Sequence, residues 1–426
     1  MESIPLAPED RAILALESET VAGHTCKLIE LAPGAPDLEE LRGIATARIE
    51  RVPELARRLD QAGPEPCWVD DELFDLAAQI GPAPVDGPLG RAGLAALVAT
   101  LFERRLDRDR PLWRIDRVEL EGGGAALIWR IHHALADGTA SIRIAGELLW
   151  DIADVPHRAT QSRARSAVDD SRRRRHLAAL LRREFLRSPE RSPFDGEIGR
   201  RRQIAFAKAP LRALHDASRQ LAGATLNDAV LSVLAGALGR WMSAQHGELG
   251  QIRVKVPVSL HHEGDQVANR DSFFSVPLPV NEADVVTRLR DVKMATTARK
   301  QGHDAEKLDE LSRGLGRVSP RLAEFCDRIE HSPRRFALNV SNVPGPRSPV
   351  TLGGAPVTGL HSIAEIGEHH ALRVTAVSLC DELCFGFCAD PALVSELEAM
   401  ADGVEVEVAA LLEAAEQRGA GRRSMR

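Results

Sequence analysis

Two adjacent histidines, a three-residue gap and an Asp-Gly pair form His132-His133-Ala134-Leu135-Ala136-Asp137-Gly138, the stretch of this chain best equipped for chemistry. An imidazole titrates near neutrality, so it can take a proton from a hydroxyl or an amine and hand it on. A carboxylate close by can orient the ring, and a glycine leaves room for a substrate. The doublets His261-His262 and His369-His370 lack the Asp-Gly sequel and sit in polar stretches, so they read as surface pairs. Two other chemistries fit less well. Adjacent histidines on a strand diverge and share one ion poorly, whereas HExxH on a helix brings two rings to a single metal. A serine triad would want a GxSxG elbow, and the chain has none. What remains is a histidine base acting directly on substrate, beside the plainer alternative of a core histidine next to a helix capped by Asp137.

The surrounding elements say how the motif is held. Residues 125–133 are an apolar run that reads as a buried strand, and the pattern after Gly138 is helical. Upstream, a helix over 94–102 leads into Leu106-Asp107-Arg108-Asp109-Arg110-Pro111-Leu112-Trp113, where Pro111 turns the chain into a strand over 112–120. Pro111, Leu112 and Trp113 are therefore read as structural, setting the strand entry. Gly122-Gly123-Gly124 turns the chain back, and the two strands form a hairpin. Side chains alternate along a strand, so Leu127, Trp129, Ile131 and His133 share one face and Ile128, Arg130 and His132 the other. The two imidazoles point opposite ways. Apolar neighbours on the His133 face lower that ring's pKa and keep it neutral, ready to accept a proton.

At 426 residues the chain exceeds a single ordinary core, which predicts two domains. The proposed division is 1–160, a linker over 161–202, and 203–426. In the first part, 39–60 has helical periodicity with Pro53 as a kink, and 81–90 reads as a loop. The linker carries 13 Arg against six acids between Arg163 and Arg202. It reads as a solvated helix, with a lip touching anionic lipid or a patch holding phosphates as the functional alternatives. The second part opens with a strand at 203–208 and a helix over 227–242 capped by Thr225 or Asn227. Strands come next at 251–260 and 273–280, then a mostly helical stretch over 283–329. A strand at 336–340 is broken by a turn at Ser341-Asn342-Val343-Pro344-Gly345-Pro346. A hairpin over 372–379 and 383–388 and a helix over 391–415 close the chain.

Composition removes several function classes. The net charge is −7, which gives no sign of a nucleic-acid partner. Neither GxGxxG nor a GK[ST] phosphate loop occurs. Cys26, Cys67 and Cys326 are isolated, and Cys380, Cys384 and Cys388 fall four apart without CxxC spacing, so no metal is expected and the thiols read as buried and free, as in a reducing cytoplasm. The N-terminal residues lack a secretory signal, and the longest apolar runs, about 10 residues, fall short of the ~20 needed to span a bilayer.

The motifs together resemble the bacterial wax ester synthase/diacylglycerol acyltransferase family, within the wider group that holds chloramphenicol acetyltransferase and peptide-synthetase condensation domains. His132 to Gly138 fits the active-site pattern of the whole group. The narrower resemblance rests on Pro111-Leu112-Trp113, on Leu226-Asn227-Asp228-Ala229-Val230-Leu231, on Val256 to Leu260 with Asn269-Arg270, and on Ser341-Asn342-Val343-Pro344-Gly345-Pro346. It implies an α+β fold of two chloramphenicol-acetyltransferase-like mixed α/β sandwich domains, with the active site in a tunnel at their interface. It implies transfer of a fatty acyl group from acyl-CoA to a long-chain alcohol or a diacylglycerol, without a covalent enzyme intermediate. His133 would be the base, His132 a supporting residue, Asp137 an orienting carboxylate and Gly138 a gap for the passing chain. Asn227, Asp228, Asn269, Arg270, Ser341 and Asn342 are second-half candidates for the cleft; helix capping and a β-turn explain Asn227, Asp228, Ser341 and Asn342 equally well. No cofactor is implied, since acyl-CoA is a substrate. A membrane or lipid-body surface is an implied partner, at the cytoplasmic side. The alternatives are a condensation-type acyltransferase using a carrier-protein thioester, against which the lack of a fused carrier domain counts, and a non-catalytic lipid or partner binder.

Overall fold

The computed structural model describes residues 3–63, 65–152, 192–247, 252–259, 271–302 and 336–424. The strands in chain order are β1 (Ser3–Pro5), β2 (His24–Leu31), β3 (Arg57–Asp60), β4 (Cys67–Asp70), β5 (Ile80–Pro82), β6 (Trp113–Glu119), β7 (Ala125–His132) and β8 (Gln203–Pro210). They continue with β9 (Ile252–Ser259), β10 (Asp271–Leu278), β11 (Leu338–Val343), β12 (Thr351–Leu352), β13 (Ala355–Ala364), β14 (Leu372–Leu379) and β15 (Glu382–Ala389). Two six-stranded sheets dominate, in the orders β12-β13-β2-β7-β6-β5 and β10-β9-β11-β14-β15-β8, and β1-β4-β3 make a small third sheet. Helices cover the sheets, which gives the mixed α/β architecture expected.

β7 is the spine of the first sheet. It pairs antiparallel with β2 on one side and β6 on the other, and all eight of its residues are buried. A strand covered on both faces needs apolar or paired side chains at every position, and Ala-Ala-Leu-Ile-Trp-Arg-Ile-His meets that demand with one arginine and one histidine. Arg130 donates from Nη1 to the carbonyl of Leu101 at 2.9 Å and from Nη2 to Asp116 at 3.1 Å. The face carrying Ala126 and Ile128 packs with the helix Arg91–Phe102. Leu127, Trp129 and Ile131 pack with the helices Leu38–Thr46 and Gly138–Leu148. Trp113 opens β6, donating its indole N–H to the Leu55 carbonyl at 2.7 Å, while Gln79 donates to the carbonyls of Pro111 and Trp113. The hairpin 112–133 thus forms as expected, trimmed by a residue or so at its ends.

The sheets do not divide at residues 161–202. The first sheet takes two strands, β12 and β13, from the second half of the chain, and β13 pairs with β2 from Val357 to Ala364. β13 also lies against β14 and β15. Gly386 permits that approach, because a Cβ there would sit 2.1 Å from the Ser362 carbonyl oxygen. His361 of β13 hydrogen-bonds the Phe385 carbonyl of β15 at 3.0 Å, and Thr375 of β14 donates to the Ser362 carbonyl. The halves are laced together through this strand.

Four local expectations are corrected. The helical reading of 39–60 holds only for Leu38–Thr46. Two 3-10 turns, Ile49–Arg51 and Pro53–Ala56, and then β3 replace the rest, since Pro53 has no N–H to continue an α-helix. Ser341 and Asn342 are not in a turn. β11 runs on through Val343, because parallel pairing with β14 satisfies its backbone. Beyond the strand, the Gly345 N–H donates to Ser378 Oγ at 2.9 Å, and the chain bends at residues 347–348. The last helix is Leu397–Ser424, later in its start and longer than 391–415. His370 is buried with its ring stacked on Phe336 at 4.2 Å, so the pair with His369 is not a surface doublet. His261-His262 lie outside the described residues, as do Cys326, most of the arginine-rich linker and most of 283–329 beyond the helix Val285–Gly302.

Three of the five described thiols are buried as expected, whereas Cys67 and Cys380 are partly exposed. Cys26, Cys384 and Cys388 are buried and free, and burial pushes Cys26 up to about 12 and Cys384 to about 11. Among the described residues no single helix is long and apolar enough to cross a membrane, and no His/Cys/Asp/Glu cluster suits a metal.

Candidate active site

The motif sits where β7 ends and a helix begins. The backbone N–H of His132 donates to the Leu112 carbonyl at 2.9 Å, and that of His133 to the Gly23 carbonyl at 3.0 Å. The carbonyl of His132 then accepts the N–H groups of Leu135 at 2.9 Å and Ala136 at 3.2 Å, closing a tight turn. Asp137 caps the helix Gly138–Leu148, its Oδ1 accepting the Ala140 N–H at 2.6 Å. A capping carboxylate at this position is worth about 1 kcal/mol and fixes the entry angle of the helix. Gly138 faces the second half: a Cβ there would meet Val343 Cγ2 of β11 at 3.3 Å. The Asp-Gly pair therefore stands at the junction between the two sheets.

The two imidazoles diverge as the strand period requires. The His132 ring is buried, with Nε2 2.9 Å from Glu17 Oε1 and Nδ1 accepting the Ala134 N–H at 3.1 Å. Glu17 also receives Arg108 Nη2 at 2.8 Å. Burial alone raises the Glu17 carboxyl, but the hydrogen bonds from His132 and Arg108 outweigh it and hold the group below the ordinary range. On the other side, the His133 ring is half-buried. Its Nδ1 is buried without a hydrogen bond to another described residue. Desolvation first, then the charges of Arg373 and Lys27, lower its pKa to about 4. The ring is neutral at pH 7.

Two cations act on His133 through their charge. Lys27 of β2 is fully buried, donating from Nζ to Ser362 Oγ at 2.6 Å. Burial lowers its pKa to about 8 while the Asp137 charge works the other way. Arg373 of β14 donates from Nη1 to the Glu365 carbonyl at 3.0 Å, its Nε is buried without a hydrogen bond among the described residues, and burial lowers its pKa. Glu365 pairs at 2.8 Å with Arg202 rather than with Arg373. Arg373 thus brings a charge from the second sheet to the end of the first.

The second-half candidates separate in space. Thr225 caps the helix Leu226–His246 in a reciprocal capping box with Asp228, whose other oxygen accepts from Thr296 Oγ1 at 2.6 Å. Asp228 is buried and committed to that helix start, and Asn227 stands beside it, half-buried in the first turn. Ser341 and Asn342 lie on β11 directly before Val343, opposite Thr375 and Ala376 of β14. Asn269 and Arg270 lie outside the described residues. Leu112 and Trp113 are buried beneath the motif, with Pro111 leading into them. Glu17, Arg108, Lys27 and Arg373 escaped the sequence reading. Lys27 left a signal, since a lysine inside the apolar run His24–Leu31 must find a buried partner. Glu17 left none, being 115 residues from His132 in an ordinary polar segment.

Two mixed sheets joined at such a histidine-bearing strand end define a fold shared by acyltransferases and condensation domains. Solved structures with this fold include the wax ester synthase/diacylglycerol acyltransferase from Marinobacter aquaeolei VT8, at TM-score 0.72 and 23% identity over 97% of this chain and 100% of that one. The first condensation domain of the CDA synthetase matches at TM-score 0.61 and 15% identity, over 96% of each chain. The chain belongs to the wax ester synthase/diacylglycerol acyltransferase family: its catalytic-domain model matches residues 6–183 and its C-terminal-domain model residues 267–411. A Mycobacterium tuberculosis protein described as a probable diacylglycerol O-acyltransferase is 29% identical over 425 residues, covering 91% of both chains. The protein is an acyltransferase.

Proposed function

We propose that this acyltransferase moves a fatty acyl group from acyl-CoA to the hydroxyl of a long-chain alcohol or a diacylglycerol, with His133 as general base and no covalent enzyme intermediate. The observation that carries this reading is the His133 ring itself: half-buried at the family's motif, with a buried Nδ1 and a pKa held low by burial and by the charges of Arg373 and Lys27. Nε2 takes the proton from the acceptor hydroxyl as its oxygen attacks the thioester carbonyl carbon. The C–S bond then breaks, and the proton passes from the imidazolium to the departing thiolate, leaving an ester and free CoA. A positioned base contributes roughly 10²–10⁴ in rate. Lys27 and Arg373, which disfavour the imidazolium, favour the negative charge that develops on the thioester oxygen, so the base and the charge stabiliser act together. Acyl-CoA enters as substrate and the reading needs no cofactor. The acceptor classes are those named for the family and its relatives. A lipid surface as the source of the acceptor suits their insolubility in water.

The test is transfer from palmitoyl-CoA to hexadecanol and, separately, to a diacylglycerol, with the thiol released measured in the same reaction. Wild type should form ester and thiol in equal amounts, and His133→Ala should form neither above background. Near wild-type turnover in the variant would remove the base assignment. Binding of acyl-CoA with no thiol released by the wild type would leave a lipid-binding protein instead.

A further inference from the structure

His132 does more than fill space behind the base. Its carbonyl and its ring between them bind the three backbone N–H groups just after His133: Ala134 on Nδ1, and Leu135 and Ala136 on the carbonyl oxygen. The turn that aims His133 is thus tied to a single residue. The ring can play its part in one tautomer only. Nδ1 accepts an N–H, so it carries no proton, and the proton of a neutral ring is on Nε2. Nε2 points at Glu17 Oε1, 2.9 Å away. A carboxylate accepts and cannot donate, so Glu17 selects that tautomer.

Glu17 is itself held from outside the first strand pair. Arg108 reaches it at 2.8 Å and also donates to Gln61 Oε1 at 3.1 Å. Arg108 belongs to the segment that delivers Pro111, Leu112 and Trp113, and the Leu112 carbonyl receives the His132 N–H. Gly23 closes the arrangement. It has φ of +73°, its carbonyl accepts the His133 N–H at 3.0 Å, and a Cβ on it would fall 2.6 Å from His132 Nε2 and 2.8 Å from Glu17 Cγ. No side chain fits between the carboxylate and the ring. Among the described residues, His24 and Arg130 lie on the same face of the first sheet as His132.

We propose that Glu17, fixed by Arg108, is a positioning residue for the acyl transfer: it locks His132 in its Nε2-protonated tautomer and through the Ala134 N–H sets the turn that carries His133. This rests on His133 as the base. A misplacement of about 1 Å at a reacting group can cost ~10²-fold in rate, so a loosened turn shows chiefly in kcat.

The test compares Glu17→Leu, Glu17→Gln, His132→Asn and the double variant Glu17→Leu/His132→Asn. Two readouts are used: steady-state transfer from palmitoyl-CoA to hexadecanol, and ¹⁵N spectra of histidine-labelled protein. Glu17→Leu should lower kcat about 10- to 100-fold with KM for palmitoyl-CoA changed less than threefold. Glu17→Gln, which still offers an acceptor oxygen, should recover most of that loss. His132→Asn keeps an acceptor for the Ala134 N–H but breaks the link to Glu17, so the double variant should be no slower than His132→Asn alone. The spectra should show His132 protonated on Nε2 in wild type and Glu17→Gln, and a mixture of tautomers in Glu17→Leu. Additive losses in the double variant, a kcat within twofold in Glu17→Leu, or an unchanged tautomer in Glu17→Leu would each overturn the proposal. The spectra need no turnover, so a failed base assignment, read from His133→Ala, is distinguishable from a failed tautomer lock.

Discussion

One strand end presents two imidazoles, and the two sides of it are built on opposite principles. On the His132 side every polar atom of the ring has a partner, and a carboxylate and a guanidinium stand behind it. On the His133 side a buried nitrogen has no hydrogen bond to another described residue, and the nearby charges, Lys27 and Arg373, repel a proton. Full satisfaction makes a brace. Incomplete satisfaction, held in place by neighbours that are satisfied, leaves a group whose proton affinity is free to serve a substrate.

The contrast is most strongly tested by alanine at each position. His133→Ala should cost roughly 10²–10⁴ in turnover while leaving the thermal midpoint near wild type, measured by thiol release and by calorimetry. His132→Ala should lower turnover less, about 10- to 100-fold through the loosened turn, and should also cost stability, about 2–3 kcal/mol, because the Ala134 N–H loses its acceptor and Glu17 one of its two donors. If the two variants show the same balance of lost rate and lost stability, the division between brace and base is wrong.

The pH dependence sharpens it further. With a pKa of about 4, His133 stays unprotonated through the usual assay range, so kcat/KM should hold its plateau well below pH 6.5 and fall only near pH 4–5. Lys27→Met removes one of the repelling charges, and the acid limb should move to higher pH, read from kcat/KM profiles of the two proteins. Stability moves with the same shift. His133 and His24 both have lowered pKa values when folded, so between about pH 6.5 and 4 the unfolded chain binds more protons and the melting midpoint falls as pH drops. Below about pH 4.5, Glu17 and Glu30, both held low in the folded chain, add to the loss. Melting curves from pH 7.5 to 4 should show less loss above pH 4.5 in His133→Ala than in wild type. The smallest expected effect is at the junction of the halves. Gly138→Ala asks Val343 to give by a few tenths of an ångström, so melting should change by about 1 kcal/mol or less, with a larger proportional effect on KM for the acceptor.

The hairpin 112–133 and the opposed faces of β7 were legible in the amino-acid order, since an eight-residue apolar run with one turn signal on each side admits few other readings. Residues 341–342 were misread because Ser-Asn before Pro favours a turn locally, and only β14 alongside makes the extended form better. His370 looked exposed from its polar neighbours, yet Phe336, 34 positions earlier, covers it.

The sequence by itself determined that two histidines diverge at the end of a buried strand, that Asp137 caps the helix beginning at Gly138, and that the chain carries the motifs of one acyltransferase family. These are properties of period and spacing, which act within a few residues. Tertiary structure alone decided that β13 crosses into the first sheet, that the charges of Lys27 and Arg373 act together on His133, and that Glu17 rather than any nearer acid holds His132. Such pairings depend on which distant strands lie side by side, and burial enforces them only once the chain has closed, because an unpaired charge is costly in the interior and nearly free outside it.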